Sequence, residues 1–369
     1  MRVGINLMSV IPGKIGGMEQ YVRNLLAYSM NAGDGHQWFL FLSSHNFHTF
    51  EAQKNVRKFM VPDHGNAHAM LHFWINSLQL NLWFCPLLVL NPSDITIPSV
   101  INIPDIQHEY YPEFFDAHSL RWRLDNYKSS AERCSAVLTL SEFSKQTILQ
   151  KFGLPPQKVH AIHLDASREF SLPHNEALNQ QVIQKYKLLP SEYGFFPANT
   201  WHHKNHLNVF KALVTLRDKH NIRIPMVFTG FAQEAHQNVM NYITNNQLWD
   251  QVKWLHYVPQ EEMPYLYRNA QFLCFPSLFE GFGIPLVEAM KSNIPIVCSN
   301  AGSIPEVVGD AALTFDPNIS DDIAVKLAHL YLTPEARADL VTKGIHQAKH
   351  FSWEKCARET LAVFSSVAR

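Results

Sequence analysis

The chain has 369 residues, 46% apolar and 17% charged, with 31 Lys and Arg against 32 Asp and Glu. At roughly 100–200 residues per domain this length fits two domains, and the apolar content excludes disorder as the main state. Residues 1–165 carry 13 basic and 13 acidic side chains and residues 166–369 carry 18 and 19, so neither half is basic enough to hold nucleic acid by bulk electrostatics. The five cysteines, Cys85, Cys134, Cys274, Cys298 and Cys356, lie far apart without a CxxC pair. Buried reduced thiols in a cytoplasmic protein are expected, not a disulfide framework or zinc site. The N-terminus lacks the apolar segment and cleavage site of a signal peptide. The most apolar stretch, Leu78–Leu90, contains Gln79, Asn81 and Pro86 and is too short and polar to span a bilayer.

Short apolar runs alternate with amphipathic stretches, the pattern of βαβ units and parallel sheets. In chain order, Arg2–Met8 reads as a strand, followed by a glycine-containing loop, Pro12–Gly17, and a helix over Met18–Met30. Trp38–Ser43 and Val100–Ile103 read as strands, and Pro104–Phe115 as a loop rich in His, Tyr and Pro. A helix over His118–Cys134, a strand Ala136–Leu140 and a helix Glu142–Phe152 capped by Ser141 complete the first half. Leu154–Pro190, with Pro155, Pro156 and Pro173, reads as a junction. Strands Tyr193–Pro197, Met226–Thr229, Val252–Tyr257, Phe272–Phe275 and Ile294–Cys298 follow, nearly all succeeded by helices. The pattern predicts an α/β chain: domain 1–165, linker 166–190, domain 191–350 and a terminal helix 351–369, with ligands outside the carboxyl ends of the strands.

The most informative stretch is PSLFEGFGIPLVEAM, from Pro276 to Met290. A strand ends near Phe275, Gly281 and Gly283 permit a tight turn, and Pro285 suits a helix start. Amides around Gly283, Ile284, Pro285 (which has none) and Leu286 would form an anion site at the helix N-terminus, suited to a diphosphate. The spacing places Glu280 on the loop and Glu288 in the first helical turn, able to accept hydrogen bonds from sugar hydroxyls. Taken singly, Glu288 would merely complement the helix dipole and Glu280 would be a solvated loop residue.

Glu280-x7-Glu288 within this string resembles the donor-site motif of retaining glycosyltransferases of the GT-B fold, family 4, and the resemblance extends over most of the chain. It implies two Rossmann-like domains with parallel sheets facing across a cleft, acceptor on the first and nucleotide-sugar on the second. It implies that Glu280 contacts the donor sugar and Glu288 the ribose. The turn of Gly281, Phe282, Gly283 and Ile284, running into Pro285 and Leu286, would meet the diphosphate. The segment ANTWHHKNH (198–206) is similar to the family segment that supplies basic residues to the diphosphate. Lys204 matches the family lysine, Asn199 stands where an arginine is usual, and His203 offers replacement charge. The same segment resembles a subgroup rich in mannosyltransferases of bacterial surface polysaccharides, which implies GDP-mannose as donor. A metal reading of His202, His203 and His206 lacks an accompanying carboxylate or cysteine at ligand spacing.

Gly16 and Gly17 match the family's N-terminal glycine loop, Gly13 to Glu19, and are otherwise an ordinary turn. Ile103–Phe115 resembles the acceptor-side region, where Pro104 replaces a histidine. Asp105 or His108 would orient or deprotonate the acceptor hydroxyl, or else cap a turn and pack in the loop. Val252–Pro259, with Val258, matches the segment that meets the nucleobase, and His256 stands where glycine is usual. Ser303 and Glu306 lie in a family-like turn.

No Asp-x-Asp occurs, in keeping with a metal-independent reaction without cofactor. The expected partners are a nucleotide-sugar donor and a saccharide or lipid-linked oligosaccharide acceptor, with no nucleic acid. The expected location is the cytoplasm, with peripheral contact at the inner face of the membrane. Met70–Leu90, with Phe73, Trp74, Trp83 and Phe84, is either buried core or a membrane- or acceptor-facing surface. The alternatives are another GT-B enzyme, a sugar-nucleotide epimerase or glucan synthase, or a catalytically silent GT-B scaffold or carbohydrate-binding protein.

Overall fold

Short strands that are mostly buried on both faces are characteristic of a parallel sheet covered by helices. The computed structural model, which describes residues 1–13, 16–31, 35–51, 53–63 and 65–368, contains two such sheets. The chain divides accordingly into Met1–Leu164 with Ser352–Arg369, and Asp165–Phe351.

The first unit holds seven parallel strands: β1 Arg2–Asn6, β2 Gln37–Leu42, β3 Val56–Met60, β4 Leu82–Cys85, β5 Ser99–Asn102, β6 Ala136–Thr139 and β7 Val159–Ala161. Their spatial order is β3-β2-β1-β4-β5-β6-β7. The helices are α1 Gly17–Met30, α2 Ala67–Ser77, α3 Ala117–Arg133 and α4 Glu142–Phe152. Local chemistry sets their ends. Asp116 accepts the His118 and Ser119 N–H groups at the start of α3, at 3.0 and 2.9 Å. Ser141 accepts the Ser144 N–H at the start of α4, and Gly153, with φ 70°, closes that helix. The apolar Leu78–Leu90 stretch is largely core. It contains β4, where Trp83 and Phe84 are fully buried, with Phe41 packed on Trp83 at 4.9 Å between ring centroids. Phe73 on α2 is exposed.

The second unit runs α5 Glu176–Tyr186, β8 Gly194–Pro197, α6 His206–His220, β9 Met226–Thr229, α7 His236–Asn245, β10 Val252–Trp254 and α8 Met263–Arg268. It continues with β11 Phe272–Phe275, α9 Ile284–Lys291, β12 Ile296–Ser299, α10 Ile304–Val308, β13 Ala312–Phe315, α11 Ser320–Leu332 and α12 Pro334–Gln347. The strand order is β10-β9-β8-β11-β12-β13, all parallel. The chain therefore winds outward from β8 through β10, then returns to pair β11 against the other side of β8. The segment 166–190, expected as a linker, is folded into this unit. Asn175 caps α5 by accepting the Leu178 N–H, α5 packs on α8, and Asn269 donates to Asn179 at 2.6 Å. Its prolines, Pro173 and Pro190, fall on either side of the helix, where they do not interrupt it.

The last helix, α13 Trp353–Val367, belongs to the first unit. It lies on α1 and β6, with Phe364 against Phe84 at 5.0 Å.

Gly194 at the start of β8 is opposite Met226 on one side and Phe272 on the other. A Cβ there would stand 2.5 Å from both the Met226 sulfur and the Phe272 ring. Gly194→Ala should therefore overpack the middle of the sheet and destabilise the protein by about 1–3 kcal/mol in urea unfolding. A variant as stable as the wild type would show that these two side chains move aside freely.

Candidate active site

Where the strand order of a parallel sheet reverses, the loops leaving the two central strands diverge and open a crevice at their carboxyl ends. In the second unit that point lies between β8 and β11, and it collects Lys204 and Glu280. Residues 198–205 leave β8 and reach α6 through a short 3-10 turn, His202–Lys204. Residues 276–283 leave β11 and reach α9. The two loops are tied together by the Leu278 N–H donating to the His203 carbonyl at 2.8 Å. Asn205 Nδ2 adds bonds to the Pro276 and Pro317 carbonyls, at 3.1 and 2.8 Å.

Across this seam Lys204 Nζ donates to Glu280 Oε1 at 2.5 Å. The two side chains are only 17% and 13% exposed. Burial works to raise the Glu280 pKa, but the Lys204 ammonium and its hydrogen bond outweigh it and hold the carboxyl below its usual range. The pair is thus a formed ion pair. Breaking up such a pair by removing one partner leaves a poorly solvated charge behind.

The Glu280 loop is braced from β12. Ser303 Oγ lies 3.0 Å from the Glu280 carbonyl and 3.1 Å from that of Phe282. Gly302, with φ 62°, lets its backbone press against that of Glu280, where a Cβ would come within 3.0 Å of the amide nitrogen. Gly283 adopts φ 101° as the N-cap of α9, a conformation that L side chains rarely take. Gly281, Phe282 and Gly283 are buried, and Ile284 and Pro285 are partly exposed. The Leu286 N–H donates to the Gly283 carbonyl at 3.0 Å and so belongs to the turn itself. The amides of Gly283 and Ile284 precede that bond at the positive end of the helix.

Glu288 is the fifth residue of α9, in the second turn and not the first as its spacing suggested. It is 6% exposed and accepts a hydrogen bond from the Tyr267 hydroxyl of α8 at 2.6 Å. Burial raises its pKa to about 7, with Tyr267 opposing. The sequence signal for Tyr267 is that a tyrosine in a buried helix needs a partner for its hydroxyl.

The remaining residues fall into place around this core. Asn199 is committed to the fold, its Oδ1 accepting the Phe231 N–H at 2.8 Å. Burial, helped by Lys204, pushes His203 down to about 3, so it is neutral and does not replace a missing arginine. His206 is buried and stacked on Phe196 at 4.4 Å, and His202 is exposed, so the three histidines do not converge as metal ligands. His256 has φ 57°, which explains physically why glycine suits that position. Val258 beyond it is buried.

In the first unit, Asp105 accepts the Gln107 N–H at 3.0 Å and is half-buried. His108 is packed edge-on against Tyr127 and Phe115, and burial with the Arg123 charge pushes it to about 4. Gly16 is the N-cap of α1 and Gly17 its first residue, both exposed, and Lys14 and Ile15 of that loop lie outside the described residues.

The Glu288 environment has a measurable consequence. A carboxyl whose folded pKa is raised stabilises the fold fully below its unfolded value near 4.5, and that stability is lost as the pH rises through about 7. Glu288→Gln should therefore flatten the fall in stability between pH 5 and pH 8 by on the order of 1–3 kcal/mol, read by urea unfolding at both pH values. Identical pH slopes in variant and wild type would contradict the buried Tyr267–Glu288 arrangement.

Residues 183–347 match the family model described as Glycosyl transferases group 1. An O-antigen chain mannosyltransferase B of Escherichia coli is 31% identical over 266 residues, spanning 72% of this chain and 70% of the relative. An O-antigen chain mannosyltransferase RfbU of Salmonella typhimurium is 30% identical over 246 residues, spanning 65% and 64%. Among solved structures, a sucrose-phosphate synthase from Thermosynechococcus elongatus superposes with a TM-score of 0.80 at 14% identity, covering 99% of this chain and 98% of the other. HepE of Anabaena, in complex with UDP and glucose, does so with 0.78 at 17% identity, covering 99% and 100%. At these identities the structures speak to the fold alone, which is GT-B. With its site at the switch point of the second sheet and a relative of 31% identity over most of both chains, the protein belongs to the group 1 glycosyl transferases.

Proposed function

We propose that the chain is a retaining mannosyltransferase of family 4 that takes mannose from GDP-mannose. The observation that carries this reading is the Lys204–Glu280 pair at the order reversal of the second sheet, with the α9 N-terminus and Glu288 in the same loop and helix. The sugar assignment is supported by the O-antigen chain mannosyltransferases among the relatives. It is supported further by an MMP alpha-(1->4)-mannosyltransferase of Mycolicibacterium hassiacum, 28% identical over 256 residues.

In this reading the donor diphosphate takes the place of Glu280 on Lys204. The ammonium and the Gly283 and Ile284 amides meet the phosphates, and they stabilise the charge that grows there as the glycosidic bond breaks. Glu280, released from Lys204, accepts hydrogen bonds from the sugar hydroxyls. Glu288 accepts from the ribose, and Val258 flanks the base. Charge stabilisation comes from these groups with no metal ion or cofactor. The acceptor hydroxyl attacks the face from which the diphosphate leaves, so the product keeps the anomeric configuration of the donor. Glu280 then positions the sugar and forms no covalent bond.

The acceptor is a saccharide, lipid-linked in our reading, held by the first unit at the cytoplasmic face of the membrane. Among the described residues no helix is long and apolar enough to cross a membrane. Gly16 and Gly17 would border the acceptor. His108 is sealed against Tyr127 and Phe115, which favours the half-buried Asp105 as the group that orients its hydroxyl.

Two variants separate the roles. Lys204→Ala should weaken GDP binding and lower kcat/KM by on the order of 10²–10³, with the circular dichroism spectrum unchanged. Glu280→Gln should bind GDP at least as tightly as the wild type, because Lys204 is released, while transfer from GDP-mannose collapses. Loss of GDP affinity in Glu280→Gln, with Lys204→Ala unaffected, would overturn the assignment. GDP should also raise Tm more than UDP or ADP at equal concentration, and a larger shift with UDP would replace the donor.

A further inference from the structure

A side-chain cluster in the first unit, apart from the donor site, has the chemistry of a metal centre. His68 and His72 are spaced i and i+4 on α2, which puts both rings on one face of the helix. Their ring centroids are 4.6 Å apart. Both Nε2 atoms converge on one atom, Oδ1 of Asp94, at 3.0 Å from His68 and 2.9 Å from His72. Asp94 comes from another part of the chain, the segment joining β4 to β5. Among the described residues this is the only group of three His, Cys, Asp or Glu residues whose ligand atoms, all within 4.8 Å of one another, could hold an ion.

The distances suit a small tetrahedral ion. Ligands at about 2.0–2.1 Å from such an ion stand about 3.3 Å from each other, close to the two N–O separations here. Two imidazoles and one carboxylate form a borderline donor set that suits zinc, whereas magnesium and calcium require oxygen shells. His68 and Asp94 are 61% and 58% exposed, so water can reach a fourth position.

We propose that His68, His72 and Asp94 bind one Zn²⁺ ion, with water as the fourth ligand. The ion replaces the two ring protons that face Asp94, each moving to Nδ1 of its own ring. Its role is to brace. It joins α2 to the β4–β5 segment, which also supplies Leu87, Val89 and Asn91 to the wall of a cavity of about 250 Å³. That cavity, lined as well by Asn6 and Met8, opens at the carboxyl ends of β1 and β4, where the order of the first sheet reverses. Zinc would stiffen this wall without entering the transfer reaction.

The test titrates the full chain, stripped with EDTA, with ZnCl₂ against a chromophoric chelator. The chain has 20 histidines, so variants are needed to locate the ion. The wild type should bind one Zn²⁺ in a saturable step and gain Tm with zinc. The His68→Ala/His72→Ala variant should lose both effects. Asp94→Asn should bind about tenfold more weakly or worse, the loss that even an outer-shell partner causes. Circular dichroism of the zinc-free proteins checks that the variants fold alike. Equal zinc binding and equal Tm gain in the wild type and the double-histidine variant would overturn the proposal, as would a wild type that binds none.

Discussion

The arrangement of the candidate site follows from one constraint, the order reversal between β8 and β11. A parallel sheet delivers every strand to the same edge, and most adjacent loops crowd one another there. Only at the reversal do two neighbouring loops part. Here one loop carries a cation and the other a carboxylate, and the two are drawn together across the gap. Two nearly buried charges are expensive to keep unless each satisfies the other. The ion pair therefore ties the two loops together and holds Lys204 in place. Ser303, Gly302 and Asn205 fix the backbone on either side of it.

Much of this was legible in the sequence. The strand–turn–helix string from Phe275 to Met290 announces itself through two glycines and a proline, and the structure puts the left-handed cap at Gly283 and the helix start at Ile284. Ser141 and Gly153 bracket α4 at the positions their chemistry requires. Less legible were β3, β4 and β13, four or five residues each, and α2. β3 carries Arg57 and Lys58, which mask its period, and the four residues of β4, Leu82–Cys85, are apolar throughout and so show none. Periodicity cannot distinguish a fully buried strand from a buried helix segment.

Side-chain partners were the least accessible part. Spacing cannot reveal that Asn199 is taken by the Phe231 amide, or that Glu288 sits in the second turn and accepts a hydrogen bond from the Tyr267 hydroxyl. Such pairings join residues tens of positions apart and depend on which helix packs where. The reading of His203 as a source of positive charge failed for a related reason. Residue type gives a histidine its ordinary pKa, but its surroundings, here burial beside Lys204, decide whether it is charged. The near-neutral chain needs no global basic field, because the proposed anionic donor is met by one lysine and one helix start.

The most direct measurement is a crystal structure of the chain with bound GDP. The account predicts Lys204 Nζ about 3 Å from a diphosphate oxygen, with the Glu280 carboxylate released toward the sugar side. A nucleotide bound elsewhere, with the Lys204–Glu280 pair intact, would contradict it.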